Sequence, residues 1–170
     1  MLIAKYILVA LCVFCISCST GQKTTDQKDC QPVTSDEFLR HPLNIDLNIK
    51  DFKQNYGEDF NLRKFSRNLN NRKSALDTIY QFISGENAFI FYTGGNNNEE
   101  SFLTLKIADD RIQLENCIRV GMERNRLEEF LSDFPESSAD TVKIDNDNRQ
   151  GVFIFKESQL KKLHINNFYK

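Results

Sequence analysis

The chain carries five cysteines and two histidines among its 170 residues, and their spacing limits the chemistry open to it. Cys12, Cys15 and Cys18 crowd into an apolar leader, while Cys30 and Cys117 stand apart. Two thiols without nearby histidines are too few for a zinc site. In an oxidising compartment Cys30 and Cys117 suit one disulfide. The other reading leaves Cys30 free and partly exposed, with Cys117 buried as a small apolar residue. His41 stands beside Pro42, and His164 alternates with Leu163 and Ile165, which places it on the solvated face of a strand. Asp145-Asn146-Asp147-Asn148-Arg149 begins like a calcium loop, but Gln150 replaces the sixth-position glycine and Lys156 the twelfth-position glutamate. It reads as a hairpin turn. The sequence holds no phosphate-cradling glycine loop and no nucleophile elbow. No nucleophile, general base or metal set assembles from these residues, so the expectation is a protein that is not an enzyme and uses no cofactor or metal.

The leader has a chemistry of its own. Met1 to Lys5 gives a short positive start, Tyr6 to Ile16 an apolar core, and Ser17 a small residue at a cut site. The run is too short for a comfortable membrane span of about 20 residues. A plain secretory signal or an uncleaved anchor would share these features. Cys15-Ile16-Ser17-Cys18 resembles the lipobox of bacterial lipoproteins, with Cys15 at the position usually taken by Leu. That resemblance implies a signal peptide over 1–17, diacylglyceryl attachment at Cys18, and a partnership with the lipid bilayer through the acylated cysteine. Residues 18–33 then form a polar tether without apolar periodicity. No acidic residue directly follows Cys18, and by resemblance to lipoprotein sorting signals this implies an outer-membrane address facing the periplasm.

Beyond the leader about 150 residues remain, enough for one domain or two small fused units. The formal net charge is −2, from 22 basic and 24 acidic residues, with no basic run of the kind nucleic acid requires. Nucleic acid is therefore not an expected partner.

Two stretches of the folded part match. Asp77-Thr78-Ile79-Tyr80 leads to Phe89-Ile90-Phe91, and Asp140-Thr141-Val142-Lys143 leads to Phe153-Ile154-Phe155. Each pair is followed by a further apolar segment, Phe102 to Ile107 and Leu160 to Ile165. Upstream, Leu127, Phe130, Leu131 and Phe134 form one stripe of an amphipathic helix that Pro135 helps to stop. Ile49, Phe52 and Tyr56 make a shorter version ending at Gly57. Thr34-Ser35-Asp36-Glu37 predicts a capped single turn that Pro42 ends. Leu62, Phe65 and Leu69 permit a second helix in the first half. Turn residues fall at Ser84 to Asn87, Gly94 to Asn98, Asp109-Asp110 and Asp145 to Asn148. The expectation is an α+β fold, a tandem repeat of helix plus antiparallel β-sheet units, with the first unit over 34–110 and the second over 111–170.

This pattern, with Ile118-Arg119-Val120-Gly121-Met122 ahead of a charged helix, resembles the fold of the SmpA/OmlA assembly lipoproteins and the beta-lactamase inhibitor proteins. The resemblance covers about residues 43–170. It implies a helical hairpin on an antiparallel sheet, sometimes duplicated, that works by binding other proteins. Ala88 to Tyr92 and Val152 to Phe155 are apolar on both strand faces, whereas a half-buried strand alternates. Either the sheet is covered on both sides, or one face is open to a partner. If Phe89, Phe91, Phe153 and Phe155 face the helices, then Tyr80, Ile90, Tyr92 and Ile154 are the candidate partner surface. The expected function is a lipid-anchored, non-enzymatic binding or scaffold protein of the bacterial cell envelope that contacts another envelope protein. The alternative is a small-ligand or carbohydrate-binding lipoprotein with a pocket between the halves. A hydrolase with scattered catalytic residues is a distant third.

Overall fold

A computed structural model of the chain describes residues 30–67, 77–94 and 99–168. The leader, Cys18, the tether before Cys30, Leu69 and the turn at Asn96 to Asn98 lie outside the described residues. In chain order the elements are α1 (Ser35–Arg40), α2 (Ile49–Tyr56), β1 (Asn61–Arg67), β2 (Asp77–Ser84), β3 (Asn87–Gly94), β4 (Glu99–Ile107), α3 (Arg124–Phe130), β5 (Thr141–Asp145), β6 (Arg149–Lys156) and β7 (Gln159–Asn167). The strands form one antiparallel sheet of seven in the order β1-β2-β3-β4-β7-β6-β5. The fold is therefore mixed, dominated by this sheet, with a few short helices on one face.

Local chemistry sets the helix starts. The Thr34 hydroxyl accepts from the Glu37 N–H at 3.2 Å and the Asn48 side chain accepts from the Asp51 N–H at 2.8 Å, each satisfying a donor with no partner inside its helix. The Ile49 N–H donates to the Glu100 carboxylate, which fastens the start of α2 to β4. Phe52 then sinks from α2 into the sheet at 0% exposure. Its ring centroid lies 4.1 Å from that of Phe89 and 4.8 Å from that of Phe82, with Phe60 at 5.3 Å edge-on. A second aromatic group forms where Phe153 meets Phe134 at 5.1 Å and Phe38 at 6.0 Å. The Phe-Ile-Phe strands thus turn all four phenylalanines into the helix-covered core.

Three elements differ from the sequence expectation. Residues 61–67 form strand β1, not a helix, and pair with β2 over seven residues. The helical spacing of Leu62 and Phe65 yields to a free strand edge, since strand preference is set by neighbours more than by intrinsic propensity. Helix α3 ends at Phe130 and does not reach Phe134. The Val33 N–H donates to the Phe130 carbonyl at 2.9 Å, and the Ser132 N–H donates to the Val33 carbonyl at 2.9 Å. The incoming N-terminal segment thereby occupies backbone groups at the point where the helix would have continued, although Leu127, Leu131 and Phe134 stay buried. Finally, α1 packs on the far end of the sheet, against β5 and β6, and not on the strands that follow it in sequence.

That displaced segment is held along its length. Cys30 and Cys117 are joined in a disulfide with Cα atoms 5.9 Å apart. The Ser35 N–H donates to Asp133 Oδ1 at 2.6 Å, and the Glu115 N–H to the Pro42 carbonyl at 2.9 Å. Arg149 Nη1 donates to the carbonyls of Leu39 at 2.6 Å and Arg40 at 2.8 Å, closing the end of α1 where helix carbonyls lack partners. Leu39 fits because residue 151 is glycine: a Cβ there would stand 2.8 Å from Leu39 Cδ2.

Two stability outcomes follow from this packing. Phe52→Ala lowers the free energy of unfolding by about 3–5 kcal/mol in a denaturant titration, while exposed Phe65→Ala changes it by about 0.5 kcal/mol or less. Reducing the disulfide, whose cysteines are 87 residues apart, removes about 2–5 kcal/mol, seen as a lower unfolding midpoint with reductant present. An unchanged midpoint would show that the cross-link does not constrain the unfolded chain.

Candidate interaction surface

Cross-strand partners share a face, so the register assigns every strand residue to one side of the sheet. Opposite the helices, one row crosses the sheet as Phe65, Ile79, Tyr92 and Ser101. A second runs through Gln81, Ile90, Thr104, Asn166 and Gln150. A third runs through Ile83, Ala88, Lys106, His164, Val152 and Lys143, and a shorter one joins Lys162, Ile154 and Thr141. None of the apolar residues in these rows belongs to the core cluster. Phe65 is 52% exposed and Ile79 36%. Among the described residues nothing covers this face.

Three of the four residues expected on a partner surface, Ile90, Tyr92 and Ile154, lie on it. Tyr80 does not. The two-residue turn Gly85-Glu86 pairs Ser84 with Asn87, and that register sets Tyr80 opposite Phe91 on the helix-covered side. There the Tyr80 ring takes the ammonium groups of Lys64 at 5.3 Å and Lys53 at 5.9 Å. The turn was legible in the sequence, and counting from it assigns the face of Tyr80 correctly. The sequence pattern does not mark Phe65 for this face, because Leu62, Phe65 and Leu69 also fit helical spacing, while Ile79 falls on it by the same count from the turn that places Tyr80 opposite.

Tyr92 is fixed in place. Its hydroxyl donates to Asp77 Oδ1 at 2.6 Å, and a Cβ on Gly94 would overlap both that hydroxyl and the carboxylate. The glycine at 94 leaves room for the phenol to lie across the strand ends, beside Ile79. At the other end of the face His164 sits between Lys106, its cross-strand partner, and Lys162. Burial, and then these two ammonium groups, push the imidazole below its ordinary pKa. Its Nε2 is buried without a hydrogen-bond partner among the described residues.

Away from the sheet face, an open cavity of about 490 Å³ lies beside the disulfide, lined by Glu37, His41, Leu43, Asp46, Glu115 and Asn116. It belongs to the N-terminal segment and the 3-10 turn at Glu115–Cys117. His41 is thus remote from His164, which lies in β7 on the open sheet face. Asn146 Oδ1 accepts from the N–H groups of Asn148 at 3.0 Å and Arg149 at 2.7 Å, so the stretch that begins like a calcium loop closes on itself as the β5–β6 turn. Among the described residues no three His, Cys, Asp or Glu side chains are grouped to hold a metal ion, and no helix is long and apolar enough to cross a membrane.

No protein-family model, curated protein or solved structure matches this chain.

The state of His164 gives the surface a measurable signature. Its folded pKa lies below the unfolded value of 6.5, so the fold favours the neutral ring. The resulting stability is fully present above pH 6.5 and declines as pH falls through that value towards the lowered one. Thermal melts from pH 7.5 to 5 show a steeper loss for the wild-type chain than for His164→Gln. Parallel curves for the two proteins would remove His164 from the acid response.

Proposed function

We propose that this chain is a lipid-anchored, non-enzymatic binding protein of the bacterial cell envelope that acts by protein–protein contact through its open sheet face. The observation that carries the reading is the row of exposed Phe65 and Ile79 with half-buried Tyr92, held apart from the core on a face that no described element covers. Contiguous exposed apolar surface is a feature of interaction sites. Acylation at Cys18 would supply the anchor, with the chain before Cys30 as the spacer.

Within this reading the folded part is a duplication. Two observations support it. Strands β3–β4 and β6–β7 share one register, with Phe89 opposite Leu105 and Phe153 opposite Leu163, and each shifts by a residue after its Ile, at Ile90/Phe91 and Ile154/Phe155. The third strands of the two sets then pair with each other about Lys106 and His164, so the sheet order mirrors across that point. The Asp-Thr-aliphatic match is not part of this correspondence: Ile79 points to the open face and Val142 to the core. A second reading, small-ligand binding, is favoured by the cavity beside Glu37 and His41.

Crosslinking and mass spectrometry on the full-length chain in its native envelope separates these readings. A reproducible partner joined at or near Tyr92 or Lys143 is expected. Crosslinks confined to the chain itself would overturn the contact reading and favour the cavity, in which case a bound ligand would raise the melting temperature.

A further inference from the structure

We infer that the partner of the open sheet face is an acidic protein surface, received by the four lysines Lys106, Lys143, Lys156 and Lys162. This rests on the contact reading above and names the chemistry of the partner. Lys143, Val152, His164 and Lys106 lie side by side on β5, β6, β7 and β4. At about 4.8 Å per strand the two outer lysines are about 14 Å apart. Lys162 lies in the next row beside Ile154, and Lys156 pairs with Gln159 one step further along the same face.

The balance of charge here opposes that of the molecule. The chain has net charge −2, yet this quarter of the sheet carries four ammonium groups against two carboxylates, Glu86 and Asp145, the latter on the same face of β5 beside Gln150. Glu86 pairs with Lys162, and Lys106 adds a weaker pull on the same carboxylate. No described carboxylate forms an ion pair with Lys106, Lys143 or Lys156. Between these cations lie Val152 and Ile154, half-buried and aliphatic. An apolar floor with a rim of one sign is the anatomy of a protein interface in which complementary charge steers and orients the partner.

Other anionic partners fit less well. The protruding apolar side chains that would enter a lipid leaflet, Phe65 and Ile79, lie at the opposite end of the face from the lysines. Among the described residues the lysine field holds one ring, the half-buried His164 imidazole, and no Phe, Tyr or Trp platform on which successive nucleic-acid bases could stack.

The test uses the full-length chain in phosphatidylcholine nanodiscs, with poly-L-glutamate as the probe at physiological salt. Binding is expected. Lys106→Glu with Lys143→Glu weakens it by at least about tenfold, and the milder Lys106→Gln with Lys143→Gln by a smaller factor. Lys50→Glu with Arg119→Glu, on exposed positions off this face, changes it by less than about twofold. No binding, or equal weakening by both reversed pairs, overturns the inference. Tighter binding to phosphatidylglycerol vesicles than to poly-L-glutamate, lost in the Lys106/Lys143 variants, also overturns it and assigns the field to lipid. The envelope crosslinking then separates the two levels. A partner lost from the Lys106→Glu, Lys143→Glu chain supports the acidic surface. A partner retained by that chain sinks the acidic surface and leaves the contact reading standing. No partner with the wild-type chain sinks the contact reading itself.

Discussion

Seven strands make one sheet only because β4 and β7 meet, and they meet over four residue pairs. On the helix side those pairs place Leu105 beside Ile165 and Ile107 beside Leu163, all four at 0% exposure. Without them each meander would end in an unpaired edge, with backbone donors and acceptors facing apolar neighbours. Strand pairing couples the two faces, so the register that buries the aliphatics also sets Lys106 against His164 on the open side. Burial of the imidazole and then this neighbouring ammonium lower its pKa, so the same geometry that closes the core disfavours its charged form. A one-residue slip would move the aliphatics out and the cation in, which ties the electrostatics of the open face to the packing beneath it.

The two ends of the sheet are covered differently. Over β2 and β3 the cover is α2, contributed by the chain just before those strands, with Phe52 at its centre. Over β5 and β6 the cover is shared between α3 and α1, and α1 arrives from the start of the folded part. Its seat is built from β6 residues: Phe153 for Phe38, the absent side chain of Gly151 for Leu39, and the Arg149 guanidinium for the closing carbonyls. Burial holds Arg149 below its ordinary pKa, with Arg40 contributing, yet a guanidinium so far above neutrality stays charged. The charge is met by helix carbonyls and by the Phe102 ring at 5.3 Å.

What the sequence made legible was local. The cap at Thr34, the turn at Gly85 and the stripe of Ile49, Phe52 and Tyr56 each act within a few residues, and each is where its residue types place it, whereas the Asn48 cap of α2 is a finding of the structure. The apolar Phe-Ile-Phe strands leave open which parity faces inward, and the phenylalanines face the helices. The rest depends on contacts distant in sequence. Residues 61–67 become a strand because β2 offers a partner, α3 stops early because Val33 takes its last carbonyl, and α1 leaves its neighbours for β6. No pattern within a single window encodes these outcomes. Tyr80 is the exception: the register that places it was available from the turn.

The disulfide also decides how the fold carries a load. Residues 31–116 lie inside one covalent loop, and the chain before Cys30 joins that loop at Cys30, which the disulfide ties to Cys117. Any pull along that preceding segment arrives at Cys30 and passes through the disulfide to the 3-10 turn of Glu115–Cys117, with α1 and α2 both inside the closed ring. The short helices are shielded from peeling one hydrogen bond at a time. Tension divides instead between the two bonds that leave Cys30, the backbone to residue 31 and the bridge to Cys117, so under load from that side the fold behaves as a mechanical ring held at one point rather than as a thread that unravels from its end.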